Sequence, residues 1–480
     1  MKNNQLYTLI LKPYNEHWTK PKSAFDYVPK FHRPVFYTLN NDIKQIPQML
    51  SITGPRRIGK STLLFQLIQQ LIKEGVEPNQ IIYYSFDDPA LYTQKIEIDE
   101  FINYIMKLAT TQNGKSQKYL FFDEIQKLER WELYLKKYYD LKYPIKVVIS
   151  GSASSPIFKK SRESLLGRIK DYHLLPFSFR EYALLKFKDE NQLIGKINDI
   201  NNFGKHIKDT ISEAPFVEDF KENISIDSTF KKLTDETLDS FFLEGGFPEV
   251  WAMPSWAAKQ EYLYDNQIKK VIYEDLVLAA EFRKPELLKQ FYLSLLEMPG
   301  REVNIQDISK ETEVKSSQID KYLPLLEMTD FIYHISKFRK GSLRVRKGLM
   351  KFYLVDLALR NAVMRLNESL LKDYGTLGYY AENLVFLALK KWIGVLQIDY
   401  YRERNDEVDF IVHTAPNRFL PIEVKYRNKI DKEDYKGINK FISKYKNNTV
   451  FPLLITKNST KSTSNNIITI PLSLFLLLFD

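Results

Sequence analysis

The chain has 480 residues, 44% of them hydrophobic and 27% charged, which is too long for one ordinary core and too apolar for a disordered chain, so two or three folded domains are expected. It contains no cysteine, which excludes disulfides and cysteine-ligated zinc. The net charge of +10 suits a polyanionic partner without requiring one.

The start of the chain carries only a short apolar run, Tyr7 to Leu11, too brief for a signal-peptide core. From Gln48 to about Glu181 short apolar stretches alternate with helical patterns: Met49 to Thr53, Ile81 to Phe86, Tyr119 to Phe122, Val147 to Ile149, and a run around His173 to Leu175. This alternation predicts a parallel sheet covered on both faces. Between the first strand and a helical pattern from Thr62 to Lys73 lies Gly54-Pro55-Arg56-Arg57-Ile58-Gly59-Lys60-Ser61. That is the spacing of a P-loop. Glycines let backbone N–H groups curl around phosphate oxygens, a helix N-terminus favours the negative charge, Lys60 reaches the terminal phosphates and Ser61 ligates magnesium. ATP with Mg²⁺ is therefore the expected ligand, held by Gly54 through Thr62.

The stretch Tyr119-Leu120-Phe121-Phe122-Asp123-Glu124 is an apolar strand ending in two acids. Asp123 is expected to hold magnesium through water, and Glu124 to polarise the attacking water. The next strand ends in Ser150-Gly151-Ser152, which reads either as a γ-phosphate-sensing hydroxyl or as an ordinary strand-end turn. Downstream, Arg168 is the candidate arginine finger, supplied in cis or by a neighbouring subunit, although any surface arginine reads the same way.

From Tyr182 to about Phe242 charged and helical patterns dominate, as in a lid or connector. A compact helical set follows: Glu286 to Met298, Ile305 to Thr312 and Ser317 to Met328, with Ile305, Ile308, Val314, Ile319, Leu323 and Leu326 suited to a helix-turn-helix core. Strands at Phe331 to Ser336 and around Leu343 to Val345 complete a winged-helix pattern. Lys337, Arg339, Lys340, Arg344, Arg346, Lys347 and Lys351 fall in one stretch with no acid between Asp330 and Asp356. Such a wing suits phosphate contacts; the alternative is a winged helix that only packs and relays.

In the last block, Glu407-Val408-Asp409 and Glu423-Val424-Lys425 sit on two strand patterns separated by a short polar loop. Period-two geometry puts Glu423 and Lys425 on one face, and a hairpin would bring Asp409 to them. Two carboxylates can hold Mg²⁺ or Mn²⁺ while the lysine positions or deprotonates water, and Glu382 on the preceding helix is a candidate further ligand. The plainer reading is the wet face of an amphipathic strand. Against it stand the apolar neighbours Phe410, Ile411, Pro421 and Ile422. The apolar run Leu472 to Phe479 is far below a membrane span, and a cytoplasmic protein without membrane attachment is expected.

Together these features resemble the archaeal-type P-loop ATPases of the AAA-like, signal-transducing NTPase group that bear a C-terminal restriction-endonuclease-like domain of PD-(D/E)xK type. The resemblance rests on Gly54 to Ser61, Asp123-Glu124-Ile125-Gln126, Ser150-Gly151-Ser152, Gly167-Arg168, Pro176 to Tyr182, Gly245-Gly246-Phe247-Pro248-Glu249, Tyr353 to Leu357, Glu382-Asn383, and Glu407 to Lys425. It implies a multidomain α/β chain: a P-loop ATPase domain over 1–181, a helical lid over 182–275, a winged helix over 276–355 and a restriction-endonuclease-like domain over 356–480. It further implies ATP hydrolysis, a winged-helix relay and a candidate metal-dependent nuclease, without supplying a substrate. The leading reading is an ATP-driven switch that controls a nucleic-acid cleavage site at Asp409, Glu423 and Lys425, with DNA favoured over RNA and a homo-oligomer allowed. The rival reading is an ATP-dependent nucleic-acid-binding regulator that does not cleave; a protein-remodelling ATPase ranks last, for want of a pore loop. The stretch Phe187 to Asp235 matches nothing in the resemblance.

Overall fold

A computed structural model of the chain describes residues 2–93, 96–110, 117–152, 164–210, 227–276, 285–297, 300–312, 314–339, 349–393, 397–458, 461–462 and 467–479. The chain forms two compact units, Met1–Leu175 with Tyr273–Phe282, and Pro176–Ile272 with Arg283–Asp480.

In the first unit the apolar runs become the strands Met49–Gly54 (β1), Ile81–Ser85 (β2), Lys118–Asp123 (β3), Ile145–Ser152 (β4) and Ile169–His173 (β5). All pairings are parallel, in the order β2-β3-β4-β1-β5. β1 and β3 are buried along their whole length, as strands of a parallel sheet covered on both faces are. β5 starts earlier than expected, because Ile169 to His173 pairs with Met49 to Thr53.

The edge of β2 is closed by a segment whose role the sequence did not disclose. The helix Lys2–Leu11 and the 3₁₀ turn Lys12–Trp18 precede the sheet. The buried Asn15 amide donates to the Tyr83 carbonyl at 2.9 Å and accepts from the Tyr83 N–H at 2.8 Å, while Trp18 Nε1 donates to the Ile81 carbonyl at 2.7 Å. One side chain thus occupies backbone groups that an edge strand otherwise leaves open. Tyr7, Ile10 and Leu11 join the core around Phe101, Ile105 and Phe122.

The second unit contains a mixed sheet, nine-stranded among the described residues, in the order β13-β14-β12-β11-β10-β9-β7-β8-β6. Its strands are Glu302–Val303 (β6), Ile332–Lys337 (β7), Met350–Leu354 (β8), Ile398–Glu403 (β9), Asp406–Ala415 (β10), Arg418–Lys425 (β11), Leu453–Thr456 (β12), Lys461–Ser462 (β13) and Ile468–Pro471 (β14). The helices Pro285–Glu297, Ile305–Thr312 and Ser316–Met328 agree with the helical pattern read before β7. β7 pairs antiparallel with β8; the strand expected around Leu343 to Val345, with Lys340, Arg344, Arg346 and Lys347, lies outside the described residues. β7 also pairs in parallel with β9, so strands expected in separate domains share one sheet.

The run Leu472–Phe479 is a helix buried on every side, which explains its all-round apolarity. It packs on the helix Asn191–Thr210, inside the stretch that matched no pattern, and on Tyr374–Ile393. A Cβ at Gly204 would come within 1.9 Å of the Leu478 carbonyl oxygen, so that glycine sets how closely the two helices approach. Among the described residues no helix is long and apolar enough to cross a membrane.

Candidate functional site

The loop after β1 turns sharply at residues whose backbones require it. Gly54 has φ +144°, and a Cβ there would meet the Leu174 carbonyl oxygen at 2.0 Å; Gly59 has φ +94° at the entry to the helix Lys60–Lys73. Arg57 also adopts positive φ, +63°. Buried Arg33 donates to the Ile58 carbonyl at 3.2 Å and to the Leu175 carbonyl at 3.0 Å, holding the loop from behind. Pro55 follows the Gly54 turn, Thr62 lies in the first helical turn, and Arg56 pairs with Glu274 at 3.1 Å. Lys60 Nζ donates to the carbonyls of Gly54 at 3.1 Å and Pro55 at 2.7 Å, so its ammonium is kept within the loop.

Asp123, at the end of β3, gathers donors from three elements. Ser61 Oγ reaches Oδ2 at 2.6 Å, the Tyr83 hydroxyl reaches the same oxygen at 3.0 Å, and the Glu124 N–H reaches Oδ1 at 3.0 Å; Ser150 Oγ also donates to Oδ1. The loop hydroxyl and the strand-end carboxylate, expected as magnesium partners, are thus brought together, and their donor set fits a hydrated divalent ion. Glu124 follows with φ +49°, and Gln126 Nε2 donates to it at 2.5 Å. Burial raises its carboxyl pKa above the ordinary value, against the lowering charge of Lys60.

Arg168 is elsewhere. Its guanidinium is bonded to Asp140 at 2.7 and 3.2 Å, and its carbonyl accepts from the N–H of Met49, the first residue of β1. The P-loop leaves the other end of that strand, so the expectation that Arg168 serves its own chain's phosphate site is corrected: the length of β1 separates the two.

In the second unit β10 and β11 form the expected hairpin, with Phe410 opposite Ile422. The Asp409 N–H donates to Glu423 Oε2 at 3.2 Å, Asp409 Oδ2 accepts from the Val424 N–H at 2.9 Å, and Lys425 is paired with Glu423 Oε1. Glu382, on the helix Tyr374–Ile393, also reaches this centre, accepting from the Tyr353 hydroxyl at 2.8 Å. Burial, reinforced by the Asp409 charge, pushes the carboxyl of Glu382 up to about 7 and that of Glu423 up to about 8. Burial pulls the Lys425 ammonium down, but the charges of Glu423 and Asp409 hold it above its ordinary value.

The metal expectation at Glu382, Asp409 and Glu423 does not fit this arrangement. Lys351 Nζ stands between the acids, 3.1 Å from Glu382, 2.7 Å from Glu407 and 3.2 Å from Asp409. Among the described residues, no group of three or more His, Cys, Asp or Glu could hold a metal ion. Lys351, expected in the phosphate-contacting wing, has a side chain only 3% exposed and is instead a core ion-pair partner.

Three contributors escaped the sequence reading. Tyr83 was accessible in principle, since period-two geometry aligns it with the face of Asp123 once β2 is placed beside β3. Arg33 and Lys351 left no local signal, because each acts on residues distant in the chain.

Residues 47–183 match the family model described as an AAA domain. Residues 235–370 and 377–475 match two models described as domains of unknown function, DUF8612 and DUF4143. The chain is similar to the uncharacterized protein MJ1544 of Methanocaldococcus jannaschii, 29% identical over 427 residues that cover 87% of this chain and 84% of that one. It is also similar to MJ1637 of the same organism, 25% identical over 442 residues covering 90% and 85%. Among solved structures, AMPPCP-bound DnaA from Aquifex aeolicus aligns with 62% of this chain and 89% of its own at 15% identity, with a TM-score of 0.25. The AAA match falls on the parallel sheet and loop described above, so the chain carries an AAA-type P-loop domain, and that domain supports ATP binding and ATPase activity.

Proposed function

We propose that this chain is an ATP-hydrolysing switch that acts on nucleic acid, DNA ahead of RNA. The observation that carries the ATPase reading is the Ser61–Asp123 hydrogen bond of 2.6 Å beside Lys60, at a helix start on the carboxyl edge of a parallel sheet. Mg-ATP supplies the scissile phosphoanhydride and its counter-charge. The chain supplies the rest: Lys60 exchanges the Gly54 and Pro55 carbonyls for phosphate oxygens, and the N–H groups of Gly59 to Thr62 surround them. Glu124 accepts a proton from water, a task its burial-raised basicity suits. Ser150, sharing Asp123 with Ser61, is the γ-phosphate sensor of this scheme. Arg168 enters it only as a residue offered to a neighbouring copy.

In the second unit the run of helix, strand, two helices and two strands from Pro285 to Leu354 supports a winged-helix reading, with Lys337 and Arg339 at the end of β7 as phosphate contacts. Cleavage would need a divalent ion among Glu382, Asp409 and Glu423, where Lys351 lies. That favours the reading in which the C-terminal fold binds nucleic acid without cutting it.

ATP binding and turnover by wild type, Lys60→Ala and Glu124→Gln test the first part. Losing a charge-assisted contact worth roughly 1.5–3 kcal/mol weakens nucleotide binding in Lys60→Ala by about 10- to 100-fold. Glu124→Gln keeps binding but turns over about 10²–10⁴-fold more slowly. Wild-type turnover in Lys60→Ala sinks the ATPase assignment, and failure to retain single- or double-stranded DNA or RNA on a filter, with or without ATP, sinks the partner.

A further inference from the structure

Lys351 is carried on β8, its backbone paired with Ile335 of β7 and Glu302 of β6. From there its side chain enters the acidic centre, and its three N–H donors match three carboxylates, those of Glu382, Glu407 and Asp409. Five of the six carboxylate oxygens of Glu382, Asp409 and Glu423 are already committed. Glu382 Oε1 accepts from both Lys351 and Tyr353, Asp409 Oδ1 from Lys351 and Oδ2 from the Val424 N–H, and Glu423 Oε1 and Oε2 from Lys425 and the Asp409 N–H. A Mg²⁺ ion would need those same atoms at roughly 2.0–2.1 Å, against an ammonium hydrogen-bonded to them.

We propose that Lys351 is the resident cation of this centre, an ion built into the chain that takes the place of a divalent metal and bars one from Glu382, Asp409 and Glu423. The centre then ties β8 to the helix Tyr374–Ile393 and to β10, rather than activating water. This does not depend on the nucleotide reading, and its test leaves nucleotide out.

Full-length wild type, Asp409→Asn, Lys351→Met and Lys351→Met/Asp409→Asn are titrated with Mn²⁺, with free ion read by electron paramagnetic resonance. Wild type and Asp409→Asn are expected to bind equally. Lys351→Met is expected to gain one Mn²⁺ per chain, lost again in the double variant. Binding by wild type that Asp409→Asn removes overturns the proposal, as does a folded Lys351→Met that gains no ion. Removing Lys351 leaves buried acids uncompensated, so a measurement on wild type alone stands beside this one. Acetylation of Lys351, read by mass spectrometry against exposed Lys436, is expected to stay slow and unchanged by Mn²⁺; acceleration by Mn²⁺ shows displacement of the ammonium by metal and overturns the proposal.

Discussion

Asp356 shows how one buried group couples this fold to pH. It caps the helix Leu357–Met364 by accepting the Ala358 N–H at 2.8 Å and also accepts the Gly246 N–H at 2.6 Å, with no cation bonded to it among the described residues. Burial outweighs those bonds and pushes its carboxyl up to about 7. The folded chain therefore holds a proton that the unfolded chain has released above a pKa of roughly 3.9. Its stabilising contribution is full below that value and is lost as pH rises through about 7, by up to about 4 kcal/mol. Asp356→Asn is expected to flatten that decline between about pH 4 and pH 7, whatever it does to absolute stability. Urea melts across the range check it, and equal slopes for the two proteins would refute it. The same residue explains the neighbouring Gly245, where a Cβ would lie 2.1 Å from Asp356 Oδ1; at Gly246 a Cβ would instead lie 2.2 Å from the Phe177 carbonyl oxygen.

Among elements, the N-terminal segment and the helix Leu472–Phe479 solve opposite problems. The first covers polar backbone at the β2 edge, the second buries apolar surface between helices. Asn15→Ala leaves the buried Tyr83 N–H and carbonyl without the amide that joins them, a loss of about 1–3 kcal/mol. Because the Tyr83 side chain bonds Asp123, the variant is also expected to weaken nucleotide binding. Thermal melts and a nucleotide titration read the two effects; unchanged stability would show that this contact does not hold the edge. Neither element announces itself by a motif. A lone Asn in a polar turn and a short leucine-rich run acquire meaning only from the surfaces they meet.

For the whole molecule, two units with separate sheets imply more than one unfolding transition, so a single midpoint is not expected to describe the chain. Mg-ATP at about a hundred times its Kd stabilises the state that binds it by about 2.7 kcal/mol. Calorimetry is expected to show the transition of the P-loop unit rising with Mg-ATP in wild type and not in Lys60→Ala. No shift in wild type at saturating nucleotide would contradict the site described here.

The sequence by itself determined the parts whose chemistry is contiguous: Gly54 to Ser61 between a strand and a helix, Asp123 and Glu124 at a strand end, and the β10–β11 hairpin that brings Asp409 to Glu423. These were legible because backbone geometry and period-two alternation act over a few residues. Only the tertiary structure decided what balances the acids. Lys351 lies 58 positions from Asp409 and reads, in its cation-rich stretch, like a surface group. Its burial follows from the pairing of β8 with β7 and of β7 with β9, and such long-range pairing leaves no mark in any one segment. Arg168 teaches the same lesson in reverse. Its motif offered it to the phosphate site, and the parallel register of β5 on β1 carried it to the far end of the strand.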